Sequence, residues 1–392
     1  MTRTDRGLAS YLSCRFRSRV FWIGTARVDL NLAGQRKAAI HFHERSLDPA
    51  CAVRRQVVGG IVARMNPSTT LRGGMVGCGY FAQFHIEAWR RIPGVELAAA
   101  ADPVLARARQ AAPQAYSAEE MFDGERLDFV DVATRPDSHL PLVRLAAGRK
   151  TPVICQKPMA PTWADAVAMV DAAESAGIPL MIHENWRWQP WYRAAKAMLD
   201  RGEIGRPITY WFRTRRNDGS GPAPYSLQPY FAAMPRLLIY ETLVHHIDTA
   251  RFLFGDLVSI YAQTRRRNPV IAGEDQALLT LTHAGVCGIV DGHRFLDPEP
   301  DGPAMGEACI EGESGVLRIL STGDIFRGSD KIWTNDVREG YRGDSVRATL
   351  QHFIDGLRSG GPFESAGREY LKTFRAVEAA YESVAERRAI LL

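Results

Sequence analysis

From residue 71 onward the chain repeats one pattern: a short, largely apolar run, a stretch with helical spacing, then another apolar run. The runs are Met75-Val76, Val95 to Ala101, Phe129 to Ala133, Val153 to Cys155 and Leu180 to Ile182, and between them Gln83 to Ile92, Ser138 to Ala147 and Trp163 to Ala176 are long enough for crossover helices. Strands without polar alternation are buried on both faces, which is the state of a parallel sheet held between two helical layers. The pattern predicts an α/β fold that opens with a doubly wound parallel sheet, right-handed crossovers, and a ligand beyond the carboxyl ends of the strands. Thr162-x-x-Asp165 reads as a capping box at the start of the last helix.

With 392 residues there is room for about two domains. A composition of 46% hydrophobic and 24% charged residues excludes disorder along the whole chain. The apolar stretch Val20 to Ala26 is interrupted by Gly24 and falls far short of the roughly 20 residues of a membrane-spanning helix, so no membrane association is expected. Six cysteines (Cys14, Cys51, Cys78, Cys155, Cys287, Cys309) are scattered without CxxC or Cys/His spacing. They predict reduced thiols in a cytoplasmic protein, with neither a metal site nor a disulfide framework. Residues 1–64 carry 12 of the 49 Lys and Arg but only 4 of the 44 Asp and Glu, so the remaining 328 residues balance to −3 and nucleic acid is not an expected partner. The same segment lacks sustained periodicity. Residues 1–68 are read as a basic, unstructured extension, with Met65 as a natural start.

The first strand-to-helix turn is Gly77-Cys78-Gly79-Tyr80-Phe81-Ala82. The first glycine allows the tight turn, the second lets backbone approach a diphosphate, and Ala82 keeps the helix against the strand. Asp102 closes the next strand 23 residues after Gly79, near the spacing expected of a residue that accepts from ribose hydroxyls. This is a Rossmann signature, and Asp102 would repel a 2′-phosphate, favouring NAD. Arg107 and Arg109 lie close enough in sequence to admit NADP.

Two further constellations suggest chemistry. Lys157-Pro158 follows a buried strand, so the ammonium stands at the rim where a nicotinamide would lie. Farther on, Glu241, His245 and Asp248 fall at i, i+4 and i+7, one stripe of an α-helix, where a carboxylate could orient the imidazole of a general base. A metal set from these three is geometrically open but has no supporting Cys/His cluster. His246 points a quarter turn away. Asn185, Trp186, Arg187, Trp188, Trp191 and Tyr192 offer an aromatic and amide-bearing wall for a carbohydrate or, equally, a packed domain interface. Arg213, Arg215 and Arg216 are candidates for an acidic substituent or for solvent, and Asn217 to Pro229 reads as a flexible loop.

The glycine turn, the Lys-Pro pair and the later (D/E)xxxHxxD helix, with Thr134-Arg135-Pro136-Asp137-Ser138-His139 and Gly202-Glu203-Ile204-Gly205 between them, resemble the Gfo/Idh/MocA family over residues 71–392. The resemblance implies a Rossmann domain over 69–188 and, over 189–392, an α/β domain with a large, mostly antiparallel sheet. The closing helix, 366–387, would pack back on the first domain. It implies Lys157, Glu241 and His245 as catalytic residues. Gly77, Gly79, Tyr80, Phe81, Ala82, Asp102, Thr134, Pro136, His139, Gln156 and Lys157 would bind the cofactor. Asn185, Trp186, Arg187, Arg213 and His246 would bind substrate. Two departures stand out: Gln156 replaces the family's glutamate, removing an expected carboxylate beside the lysine, and Glu241 replaces a shorter aspartate.

The function this implies is reversible hydride transfer between nicotinamide and a carbon of a sugar or polyol, with an aldose oxidised to a lactone as the first candidate. His245 would take the hydroxyl proton while Lys157 donates to the same oxygen. A homodimer or homotetramer is the implied assembly. A nicotinamide-binding regulator without turnover, or a redox-neutral glycoside-processing enzyme, are the other classes open to this fold.

Overall fold

A computed structural model describes residues 69–392 and, separately, a two-rung antiparallel ladder in which β1 (Trp22–Ile23) pairs with β2 (Ala26–Arg27). The rest of the expected extension, with Cys14, Cys51 and Met65, lies outside the described residues.

The parallel sheet forms as the apolar runs require. Its strands are β3 (Leu71–Val76), β4 (Val95–Ala101), β5 (Gln114–Tyr116), β6 (Phe129–Val132), β7 (Val153–Gln156) and β8 (Leu180–His183), in the order β5-β4-β3-β6-β7-β8. All pairings are parallel. The order reverses between β3 and β6, which opens a crevice at their carboxyl ends. The crossovers are α1 (Ala82–Arg90), α2 (Leu105–Ala111), α3 (Ala118–Gly124), α4 (His139–Gly148) and α5 (Trp163–Ala176). At α5 the Thr162 hydroxyl accepts from the Asp165 N–H at 3.1 Å, but the short aspartate returns to that hydroxyl and not to the backbone. The full capping box is at α3, between Ser117 and Glu120. Both α3 and the three-residue edge strand β5 were too short for the periodicity to reveal.

Beyond β8 come α6 (Pro190–Asp200), β9 (Pro207–Arg215), a π-helical turn (Leu238–Leu243) and α7 (Val244–Phe254). The strands β10 (Leu257–Arg265), β11 (Gln276–His283), β12 (Cys287–His293), β13 (Gly306–Gly312), β14 (Gly315–Ile319), β15 (Ile325–Arg327) and β16 (Asp330–Trp333) follow, and β17 (Ile390–Leu391) ends the chain. They form one nine-stranded sheet, β16-β15-β14-β13-β9-β12-β11-β10-β17, antiparallel except between β9 and β12. Buried Tyr210 and Phe212 of β9, Leu279 and Leu281 of β11 and Val290 of β12 share one core with Ile247 and Ala250 of α7.

The last two long helices serve both halves. In α8 (Ser345–Ser359), Val346, Leu350, Phe353 and Leu357 pack on Leu71, Trp89, Phe129 and Met181, so residues far along the chain complete one face of the parallel sheet. α9 (Gly367–Glu386) bonds to α5 through Arg368 with Asp171 and Glu174, while its Ser383 hydroxyl accepts from Ala262 N–H on β10. The expected boundary near residue 188 is thus bridged by α8 and α9.

Candidate active site

The crevice begins at the glycine turn. Gly77 has φ +88°, and a Cβ there would stand 2.6 Å from the Ala133 carbonyl oxygen. At Gly79 a Cβ would meet nothing within 4 Å, so the space above it is open. Ala82 is buried at the start of α1, and the exposed Tyr80 and half-buried Phe81 precede it. Asp102 accepts from the N–H groups of Cys78 (2.8 Å) and Val104 (2.7 Å), which ties the end of β4 to the turn and leaves each oxygen a further lone pair. An open glycine, a free helix N-terminus and a carboxylate at the end of the second strand are what a dinucleotide needs. Across the switch point, Thr134 accepts from the Ser138 hydroxyl, Pro136 starts a 3-10 turn, and His139 lies fully buried. The His139 ring sits within reach of the Met159 and Thr134 carbonyl oxygens, stapling two rim turns together, and burial holds its pKa down.

Lys157 leaves the end of β7 and reaches across to the π-helical turn. Its Nζ donates to Glu241 at Oε1 (2.7 Å) and at the backbone oxygen (2.8 Å). The loss of a carboxylate at position 156 is thus made good by Glu241. Gln156 itself turns inward, where its Oε1 accepts from Lys157 N–H (2.7 Å) and its Nε2 lies 3.0 Å from His85 Nε2 and 3.4 Å from His183 Nδ1. It supports the lysine's backbone. Behind it, Asp131 receives His85 Nδ1 and Trp89 Nε1, each at 2.8 Å.

Glu241 does not orient His245, contrary to the stripe read from the sequence. A π-helical turn takes an extra residue per repeat, so the i, i+4 relation of an α-helix fails across it and Glu241 swings toward Lys157. The imidazole is held instead by Glu184, just past β8. His245 Nδ1–H donates to Glu184 Oε1 at 2.5 Å, the Tyr370 hydroxyl donates to Oε2 at 3.0 Å, and the Trp186 indole stacks on the ring at 4.8 Å and 8°. Burial pushes the His245 pKa down more strongly than Glu184 raises it, and the nearby Lys157 ammonium lowers it further. Burial opposes ionisation of Glu184, but His245 and the Trp186 N–H hold its carboxyl below the ordinary range. The pair is therefore a carboxylate and a neutral imidazole with Nε2 as its free acceptor. Burial would likewise raise Glu241, yet Lys157, Arg294 and the Thr242 hydroxyl bring it to about 2.

The expected substrate residues all have partners within the protein. Asn185 donates to the Ser345 hydroxyl at 2.8 Å, and Trp186, only 2% exposed, lies behind the imidazole. Arg187 is bidentate to Asp248, both contacts 2.7 Å, which also removes Asp248 from the reacting stripe. His246 pairs with the Thr214 hydroxyl inside the core, and burial takes its pKa to about 3. Thr214 points inward to that ring, so the preceding Arg213 points to the opposite face of β9, over Trp211 and beside Asp291. Of these five, Asn185, Trp186, Arg187 and His246 are buried and Arg213 is exposed. Sequence reasoning missed Glu184, Arg294, which contacts Glu241 Oε2 at 3.3 Å, and Tyr230, whose ring lies 5.4 Å from the Arg135 guanidinium. Only Glu184 left a signal, an acidic residue directly after a buried strand. Among the described residues no His, Cys, Asp or Glu group has a metal-binding arrangement.

Comparison with known proteins bears on the fold and its family. The description "Oxidoreductase family, NAD-binding Rossmann fold" matches residues 71–184, and the Gfo/Idh/MocA C-terminal domain matches residues 192–318. A D-apiose dehydrogenase of Rhizobium rhizogenes is 38% identical over 82% of this chain and 97% of its own. The chain belongs to the Gfo/Idh/MocA family. It is an oxidoreductase with an NAD-binding domain, as the glycine turn and Asp102 lead one to expect. Inositol 2-dehydrogenase 4 of Saccharopolyspora erythraea is 28% identical over 74% of this chain and 86% of its own. A solved oxidoreductase from Agrobacterium radiobacter, in complex with NAD+, L-tartaric acid and magnesium, superposes with a TM-score of 0.75 at 38% identity, covering 82% of this chain and 98% of that one. No helix among the described residues is long and apolar enough to cross a membrane.

Proposed function

We propose that this protein oxidises the anomeric hydroxyl of a neutral aldose to a lactone, with D-apiose the first sugar to test. The observation that carries the reading is the pair of buried couples at one rim, Lys157 with Glu241 at 2.7 Å and His245 with Glu184 at 2.5 Å. NAD, when bound, supplies the hydride acceptor. His245 Nε2 takes the hydroxyl proton, and the developing imidazolium is stabilised by Glu184. Lys157, fixed by Glu241, donates a hydrogen bond to the oxygen that becomes the carbonyl. A neutral sugar suits this site because its two buried cations are already matched: Lys157 by Glu241, and Arg294 by Asp218 at 2.6 Å. The choice of D-apiose is supported by relatives of that name at 38% and 39% identity. The outer face of the nine-stranded sheet, where Leu278 and Ile289 are exposed, is the surface suited to a second copy of the chain.

The test is NADH formation with D-apiose, other aldoses, myo-inositol and the corresponding sugar acids. Neutral aldoses should turn over and sugar acids should not. In His245→Asn, turnover should fall by about 10²- to 10⁴-fold while NADH still binds. Undiminished turnover in that variant would remove His245 from the reaction.

A further inference from the structure

We infer that Arg294, just past β12, is a positioning residue that couples the reactive lysine to the loop 217–231 through an alternating chain of charges, Lys157, Glu241, Arg294 and Asp218. The inference rests on the role proposed above for Lys157.

The extra methylene of Glu241, relative to an aspartate, gives its carboxylate two separate duties. Oε1 holds Lys157, while Oε2 accepts from the Thr242 hydroxyl at 2.7 Å and from Arg294 Nη1 at 3.3 Å. Arg294 Nη1 also donates to Thr242 Oγ1 at 3.0 Å, and Nε and Nη2 form a fork on Asp218 at 2.9 and 2.6 Å. Arg294 is only 6% exposed, so its own charge is desolvated, and each charge in the chain has an opposite neighbour, Asp218 lying at the half-exposed end.

The loop is wrapped around this one guanidinium. Its carbon lies 4.8 Å from the Tyr225 ring centre and 5.6 Å from that of Phe231. Gly219 N–H donates to the Arg294 carbonyl at 3.0 Å, and a Cβ on Gly219 would stand 2.8 Å from that oxygen. Tyr225, with φ +59°, occupies a backbone region unfavourable for a bulky residue and is held there by its N–H to the Asp218 carbonyl at 2.7 Å. Farther along, Tyr230 meets Arg135 on the cofactor-side rim. One side chain thus fixes the carboxylate that aims the lysine and the wall that encloses the sugar.

The groups facing Glu241 are Lys157 from the β7 turn, Arg294 from just past β12, His245 from α7, and Tyr225 and Tyr230 from the loop, with Asp218 one step behind Arg294. Of these only the two cations favour its ionised form strongly. Removing Arg294 leaves a buried carboxylate with one counter-charge, and its proton affinity rises.

Three variants test the chain: Arg294→Met, Arg294→Lys and Asp218→Asn, assayed as full-length enzyme with whichever of D-apiose and myo-inositol the wild type oxidises. In Arg294→Met, kcat should fall by about tenfold or more, and the second step of the acid limb of kcat/KM, where Glu241 takes its proton below the His245 step, should move toward neutral by about one pH unit. Chymotrypsin should then cut after Tyr225, while NADH binding followed by fluorescence is unchanged. Asp218→Asn should raise KM and expose Tyr225 without moving the acid limb. Arg294→Lys should keep the limb near its wild-type position. If Arg294→Met does not fold, the other two decide. The inference is overturned if Asp218→Asn leaves both KM and the Tyr225 cut unchanged, or if a folded Arg294→Met keeps the wild-type kcat and acid limb. Loss of activity in His245→Asn together with a silent Arg294→Met would sink this inference alone and leave the proposed reaction standing.

Discussion

At the scale of single residues, the reacting end depends on which carboxylate serves which base. Glu184 carries His245, and Glu241 carries Lys157. Replacing Glu184 with Gln keeps an acceptor for Nδ1–H but removes the charge that stabilises the imidazolium, so kcat should drop by roughly 10²-fold or more. Because Glu184 raises the proton affinity of His245, its loss moves the His245 step of the acid limb to lower pH, opposite in sign to the effect of Arg294→Met on the Glu241 step. A pH–rate series on the two variants separates them. Lys157 and His245 were legible because each stands beside an element boundary marked by its neighbours. Their carboxylate partners were not, since a pairing between β8 and α7 spans 61 residues and leaves no spacing to read.

Among the elements, the π-helical turn is what sequence periodicity could not foresee. The stripe Glu241, His245, Asp248 holds only for a regular α-helix, and one widened turn takes Glu241 out of it while His245 and Asp248 stay on α7. The turn is secured at its start by buried Glu274, whose carboxylate accepts from Leu237 N–H and from Ile239 N–H at 3.0 Å while the Tyr381 hydroxyl donates to it at 2.5 Å. In Glu274→Ala those buried N–H groups lose their acceptor, at a cost of about 1 to 3 kcal/mol, measurable by denaturant unfolding. Activity should fall further than stability explains, because Glu241 rides on this turn. The parallel strands, by contrast, were readable almost throughout: burial on both faces imposes apolar runs, and only the three-residue edge strand β5, half in solvent, escaped.

For the whole molecule, the buried histidines set the response to acid. His139, His183, His245 and His246 all have pKa values lowered chiefly by burial, His246 to about 3. Their unfolded values are near 6.5, so below that pH the unfolded chain binds more protons than the folded one. Stability present above about pH 6.5 is therefore lost as the pH falls toward 3. Thermal melts should show Tm declining across this window, with a further loss between about 4.3 and 2 as Glu241 is protonated. A Tm flat from pH 7 to 4 would contradict the neutral state of these rings. At this scale the class of both sheets was legible, and the return of α8 was not, since its apolar stripe fits any helical face.

That return has a structural cost for any attempt to divide the protein. Without α8, the surface formed by Leu71, Trp89, Phe129, Ile154 and Met181 would meet water. The nucleotide half is thus no detachable module: its stability is borrowed from a helix far along the chain, and a chain cut before α8 would offer its coenzyme no sound seat.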